Sequence, residues 1–219
     1  SLFPRSNFMT QIISLATSAH PTAAITQDDN LIYKWQNQQP GDFEYKVDSI
    51  VKTKSDIFKV SPQPFPIANL PEDIKKYTEA SEIIDINQDI INQANEIVAG
   101  ETDLFTVVYK TAEWTRDYVP YDLNTLTADV AQKSSWVYAN KQGVCDEITG
   151  LFISLLRSVG IPARFVAGMV YTNLGYQFGP HGWAEVYFPE EGWVPFDPTF
   201  GQYGWIDPSH VKLADYLDS

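Results

Sequence analysis

The chain has 219 residues, 44% of them hydrophobic and 20% charged. That is an ordinary globular composition, with enough chain for one packed core and a small accessory piece. The formal net charge of −13 repels phosphate backbones and anionic lipid surfaces, which argues against nucleic acid as a partner. A single cysteine cannot form an internal disulfide and does not fix the redox compartment.

No run of about 18 apolar residues is present, so no direct membrane contact is expected within this chain. Phe8 to Ala19 is too weakly apolar for a signal-peptide core. The chain begins at Ser1, not Met, as a trimmed chain does. A trimmed ectodomain implies a cell-envelope or secreted location; otherwise the location is cytoplasmic.

Residues 1–65 read as a β-rich N-terminal segment, and residues 66–219 as the main domain. Leu31 to Trp35 has strand composition, Gln39-Pro40-Gly41-Asp42 is a turn, and Phe43 to Val47 alternates with period two. Together these predict a hairpin. Ser61-Pro62-Gln63-Pro64-Phe65-Pro66 is predicted to be a linker, because three prolines remove donors and fix φ.

Helices are predicted between residues 70 and 140. The first starts at Pro71-Glu72-Asp73. The second carries Ile90, Ile91, Ala94, Ile97 and Val98 on one face and stops at Gly100. The third takes Thr102 as its N-cap and ends before Pro120. The fourth runs from Thr127. The strongest pattern is Ile148, Leu151, Phe152, Leu155, Leu156 and Val159, an apolar stripe at helical spacing over 145–159. Gly160 and Pro162 end it. Strands follow at 163–171, 182–188 and 193–196. Helices first and an antiparallel sheet after is an α+β arrangement.

Three residues carry candidate chemistry. Cys145 begins the strongest helix, where unpaired backbone N–H groups and the positive dipole end stabilise a thiolate and an oxyanion. It could equally continue the buried stripe. His181 opens a strand whose alternation puts His181, Trp183 and Glu185 on one face. A lone histidine is more often structural. Asp197 sits among Trp193, Phe196 and Pro198, where a carboxylate needs a partner. It could orient an imidazole or simply make an Asx-Pro turn. Metal binding by Cys, His and Asp lacks the short ligand spacing of structural zinc.

The blocks Gly143-Val144-Cys145, Leu155 to Arg164, His181-Gly182-Trp183-Ala184-Glu185-Val186 and Gly192 to Thr199 occur in order. Together they resemble the transglutaminase-like superfamily over about residues 70–215. The resemblance implies a papain-like core, with the cysteine helix packed on an antiparallel sheet that carries His181 and Asp197. It implies a Cys145–His181–Asp197 triad acting on protein or peptide amides through a thioacyl-enzyme, with no metal or cofactor. Hydrolysis is the leading expectation. Crosslinking by transfer to an amine is the alternative, and a silent binding module on the same fold is a third. Tyr121 and Gln142 are candidate oxyanion donors. Trp183 and the 171–179 segment, with Tyr176, are candidate substrate contacts. Asp146 and Glu147 suit the first helical turn but oppose a nearby thiolate. Arg157 and Arg164 are expected in ion pairs, and His20 and His210 as surface or capping residues.

Overall fold

The computed structural model describes residues 4, 10–18, 23–27, 30–34, 46–127, 131–172 and 176–218. Two strand pairs come first: β1 (Thr10–Ser18) with β4 (Lys46–Thr53), and β2 (Ala23–Gln27) with β3 (Asn30–Lys34), both antiparallel. Of the expected hairpin between 31–35 and 43–47, the described residues 31–34 pair with β2 and residues 46–47 with β1. β2 lies two residues before β3 in sequence, so a local partner closes a smaller loop than a distant one. Trp35, the Gln39–Asp42 turn and residues 43–45 lie outside the described residues, as does His20.

The proline-rich segment is strapped down. Phe65 donates its backbone N–H to Thr102 O, Leu104 donates to Gln63 O, and Phe58 donates to Gly204 O. The helices follow: α1 (Glu72–Lys75), α2 (Gln88–Ile97), α3 (Leu104–Tyr118), α4 (Ser134–Asn140) and α5 (Cys145–Ser158). Asn87 caps α2 by accepting from Ile90 N. Asp103, not Thr102, caps α3 by accepting from Thr106 N. A 3₁₀ turn occupies Leu123–Thr127, so α4 starts seven residues later than its sequence pattern suggests.

The sheet comprises β5 (Ala163–Thr172), β6 (Gln177–Phe188), β7 (Gly192–Asp197), β8 (Gln202–Tyr203) and β9 (His210–Tyr216) in the order β8-β7-β6-β5-β9. Every neighbouring pair is antiparallel. At the ends of the 171–179 segment, Tyr171 pairs with Phe178 and Thr172 with Gln177; residues 173–175 lie outside the described residues. β9 was not expected from sequence. Its Lys212 obscures the apolar alternation, yet that lysine is buried against Glu185 at 2.9 Å and Asp215 at 2.9 Å.

α5 is the hub. Phe152, Ile153 and Leu156 pack with Ala184, Val186 and Phe188 of β6 and with α3. Ile148, Leu151 and Leu155 pack with Ile90 and Ala94 of α2 and Val137 of α4. Each such side chain contributes roughly 1.5–3 kcal/mol by leaving water. The helix is apolar on two sides because it has neighbours on two sides. Its polar residues are satisfied: Thr149 donates to Gly182 O at 3.2 Å and Ser154 to Asp85 O at 2.6 Å.

Arg157 is buried, attracted by the charge of Asp218, and its hydrogen bonds go to carbonyls. It donates to Ala163 O, Glu79 O and Leu217 O. Burial lowers its pKa to about 10. Arg164 meets the ion-pair expectation, at 2.6 Å from Glu185 and 3.1 Å from Asp215.

Gly168 of β5 lies opposite His181 of β6. A Cβ there would stand 2.4 Å from the Trp183 ring and 2.6 Å from Val211 O. We therefore expect Gly168→Ala to destabilise the protein by about 1–3 kcal/mol through overpacking. Urea denaturation checks this; an unchanged midpoint would show that the sheet has room that the packing denies.

Candidate active site

The site forms where the N-terminus of α5 meets β6 and β7. Cys145 is the first residue of α5 and is half-buried. The helix start is fixed by Glu147, whose buried carboxylate accepts from Val144 N at 2.9 Å and from Gln132 N at 3.2 Å. Gly143 makes this close approach possible, since a Cβ there would lie 2.6 Å from Glu147 Cβ.

His181 and Asp197 stand on neighbouring strands. His181 Nε2 is 2.7 Å from Asp197 Oδ2. Asp197 Oδ1 accepts from Phe200 N at 3.0 Å. Both sequence readings of Asp197 are realised, one on each oxygen: it makes a local turn and it holds an imidazole. Cys145 lines the same cavity as the imidazole and helps to raise its pKa. The imidazole ring stacks on Phe200, with centroids 4.8 Å apart and an interplanar angle of 17°.

These contacts set the charges. Burial opposes an imidazolium at His181, but the hydrogen bonds and charges of Asp197 and Cys145 outweigh it and push the pKa up to about 10. Burial works against the Asp197 carboxylate. Hydrogen bonds from His181 and His210 win there and lower it to about 2. The signs follow from linkage. The charged His181 stabilises the fold fully below its unfolded value near 6.5, and that contribution is lost as pH rises through about 10. The ionised Asp197 stabilises above its unfolded value near 3.8, and that contribution is lost as pH falls through about 2.

A cavity of about 530 Å³ opens on the pair, lined among others by Tyr121, Cys145, Asp146, Phe165, His181 and Leu213. Tyr121 is held there by a parallel bridge to Gly143. Burial, followed by the negative charges at Cys145, Asp146, Glu147 and Asp197, raises its phenol pKa. Asp146 is pushed up to about 6 by burial and by Glu147, while backbone N–H groups of residues 146 and 147 partly offset the rise.

Three expected residues fall elsewhere. Trp183 is 1% exposed and lies behind the imidazole, packed with Val166 and Ile206. Strand alternation put it on the correct face, but that face is sealed at this depth, so it is not a cleft contact. Tyr176 is 78% exposed immediately before β6, with a left-handed φ of 53°, and does not line the cavity. Gln142 is exposed and also outside the lining.

The sequence reading also missed a residue. His210 is buried, with Nε2 3.2 Å from Asp197 Oδ2. The spacing Asp207-Pro208-Ser209-His210 was the available signal. His181, Asp197 and His210 present ligand-type atoms within 4.8 Å of one another. The separations of 2.7 Å (His181–Asp197) and 3.2 Å (His210–Asp197) are both hydrogen-bond lengths.

Residues 91–198 match the family model of the transglutaminase-like superfamily. The chain is 38% identical over 96 residues to an uncharacterized protein, YebA, of Bacillus subtilis (strain 168); the match covers 38% of this chain and 13% of that protein. It is 36% identical over 73 residues to a protein-glutamine gamma-glutamyltransferase of Pseudomonas aeruginosa, covering 30% of this chain and 11% of that protein. The chain therefore spans only a small part of these curated relatives. The crystal structure of a candidate cysteine protease from Cytophaga hutchinsonii superimposes with a TM-score of 0.73 at 18% identity, over 99% of this chain and 74% of that one. The shared fold is the mixed helix and antiparallel-sheet architecture described above.

The raised Asp146 carboxyl gives a prediction. Its folded pKa of about 6 exceeds the unfolded value of 3.8. It therefore costs stability once pH exceeds about 6, and the cost vanishes below about 4. We expect Asp146→Asn to melt higher than wild type at pH 8, with the gap closing toward pH 4. Melting curves across pH check this; a gap that widens in acid contradicts the assignment.

Proposed function

We propose, from the premise that residues 91–198 carry a transglutaminase-like core, that Cys145, His181 and Asp197 are the catalytic triad of a thiol-dependent amide enzyme. The observation that supports it most is that Cys145 and His181 line one cavity while His181 Nε2 lies 2.7 Å from a fully buried Asp197.

The chemistry follows from the charges. Asp197 keeps His181 oriented and favours its cation. In the resting pair the shared proton sits on His181, leaving a thiolate beside an imidazolium. The thiolate attacks an amide carbonyl and a C–S bond forms. The Cys145 N–H, at the positive end of α5, is the proposed backbone donor to the oxyanion. The Tyr121 phenol is the proposed side-chain donor, supported by its position on the cavity wall. The imidazolium then protonates the departing nitrogen as the C–N bond breaks, leaving a thioacyl-enzyme. Water, deprotonated by His181, releases the acid and restores the thiol.

Hydrolysis of a protein or peptide amide is the leading reading, since water needs no acceptor pocket. Transfer to an amine is the second reading. The match to a protein-glutamine gamma-glutamyltransferase favours it.

We expect iodoacetamide to alkylate Cys145 readily at about pH 6, where an unperturbed thiol is almost wholly protonated, and His181→Ala to slow this about tenfold or more. An inert thiol in the folded wild type would sink the enzyme reading. Casein incubated with and without a labelled amine separates the two outcomes. New peptide ends indicate hydrolysis, and label retained on casein indicates transfer. Both should vanish in Cys145→Ala.

A further inference from the structure

We propose that His210 is a positioning residue for Asp197, so that the triad has a fourth member; this rests on the triad reading above. His210 opens β9, the strand added beside β5. Its side chain has no solvent exposure. Its Nε2 lies 3.2 Å from Asp197 Oδ2, the same oxygen that His181 Nε2 approaches at 2.7 Å, and the proposal places a proton on that His210 nitrogen.

The carboxylate is thereby fixed from three directions. Phe200 N holds Oδ1, and the two imidazoles hold Oδ2 from different strands. With Phe200 and His181 alone, the carboxylate could swivel about its bond and carry His181 with it. The second imidazole removes that freedom.

His210 is anchored in turn. Its Nδ1 lies 3.2 Å from Asp207 Oδ1 and 3.3 Å from Asp207 O. Asp207 is itself held, by Ser209 N at 2.8 Å on Oδ1 and by Gln202 Nε2 at 2.7 Å on Oδ2. The result is an alternating line of carboxylate and imidazole: Asp207, His210, Asp197, His181, then the Cys145 thiol. The other groups facing the His210 ring are aromatic or already in that line. Trp183 is 5.3 Å away edge-on, Phe200 5.6 Å and His181 5.5 Å, centroid to centroid.

The competing explanation is that His210 merely stitches β9 to β7. A stitch and a positioning residue differ in how they affect the thiol at different pH. At about pH 6 Cys145 reacts only through the thiolate–imidazolium pair, whereas near pH 9.5 an ordinary thiol is ionised without help. We expect His210→Leu to lower the alkylation rate about tenfold at pH 6 while leaving the pH 9.5 rate within about twofold of wild type. His210→Gln, whose amide can still donate to Asp197, should recover most of the pH 6 rate. A wild-type ratio of the two rates in His210→Leu overturns the proposal. So does a parallel fall at both pH values that Gln does not correct.

A third arm needs no variant. The chain has 3 histidines, so ¹⁵N-histidine spectra of the wild type are sparse. They should show a proton on His210 Nε2, protected from exchange and close to the Nε2 proton of His181. An unprotonated His210 Nε2 overturns the proposal even if His210→Leu fails to fold. If wild-type Cys145 is itself inert at pH 6, the functional reading fails, and this spectrum alone judges the contact with Asp197.

Discussion

A carboxylate cut off from water is the constraint on which the site depends. Asp197 has no solvent exposure, and an ion in that position is tolerable only if its oxygens are fully engaged. The Phe200 N–H and two imidazole nitrogens stand at hydrogen-bond distance from Asp197, and one of those rings shares a cavity with the thiol. The interaction that makes Asp197 bearable in the interior is thus the one that holds His181 charged. Stability and chemistry draw on the same contact, which is why the folded His181 and Asp197 depart from their ordinary pKa values in opposite directions.

The fold exists around this point in a definite sense. α5 must bring its N-terminus to the sheet without burying the sulfur. It does so because its apolar sides are consumed by β6 and α3 on one side and by α2 and α4 on the other, leaving the helix start at the rim. Glu147 then fixes that start from within. On the sheet, Gly168 and Gly182 give room for the Trp183 and Phe165 rings. Those rings back the strand that carries His181.

Much of this was legible in the sequence, and the parts that were not share a cause. α5 showed itself because its apolar spacing extends over four turns and ends in Gly160 and Pro162. Cys145, His181 and Asp197 each had a bland reading when taken singly, and only the order of their blocks pointed to one another. What could not be read were contacts made by residues distant in sequence. His210 looked like a surface residue because its partner Asp197 lies across the sheet. β9 was hidden by Lys212, whose charge is matched by Glu185 on β6. Trp183 was placed on the right face by alternation, but alternation says nothing about depth. Arg157 donates to the carbonyls of Glu79, Ala163 and Leu217, which a linear pattern cannot forecast.

The most direct measurement is the titration of the His181 ring in the folded wild type, followed by NMR with ¹³C-labelled histidine. A ring clamped between Asp197 and the thiol keeps its proton through pH 8 and gives it up only on approaching about 10. A ring that has already lost its proton by about pH 7, as a free imidazole does, would mean that the buried carboxylate does not hold it, and the account of the site would fail.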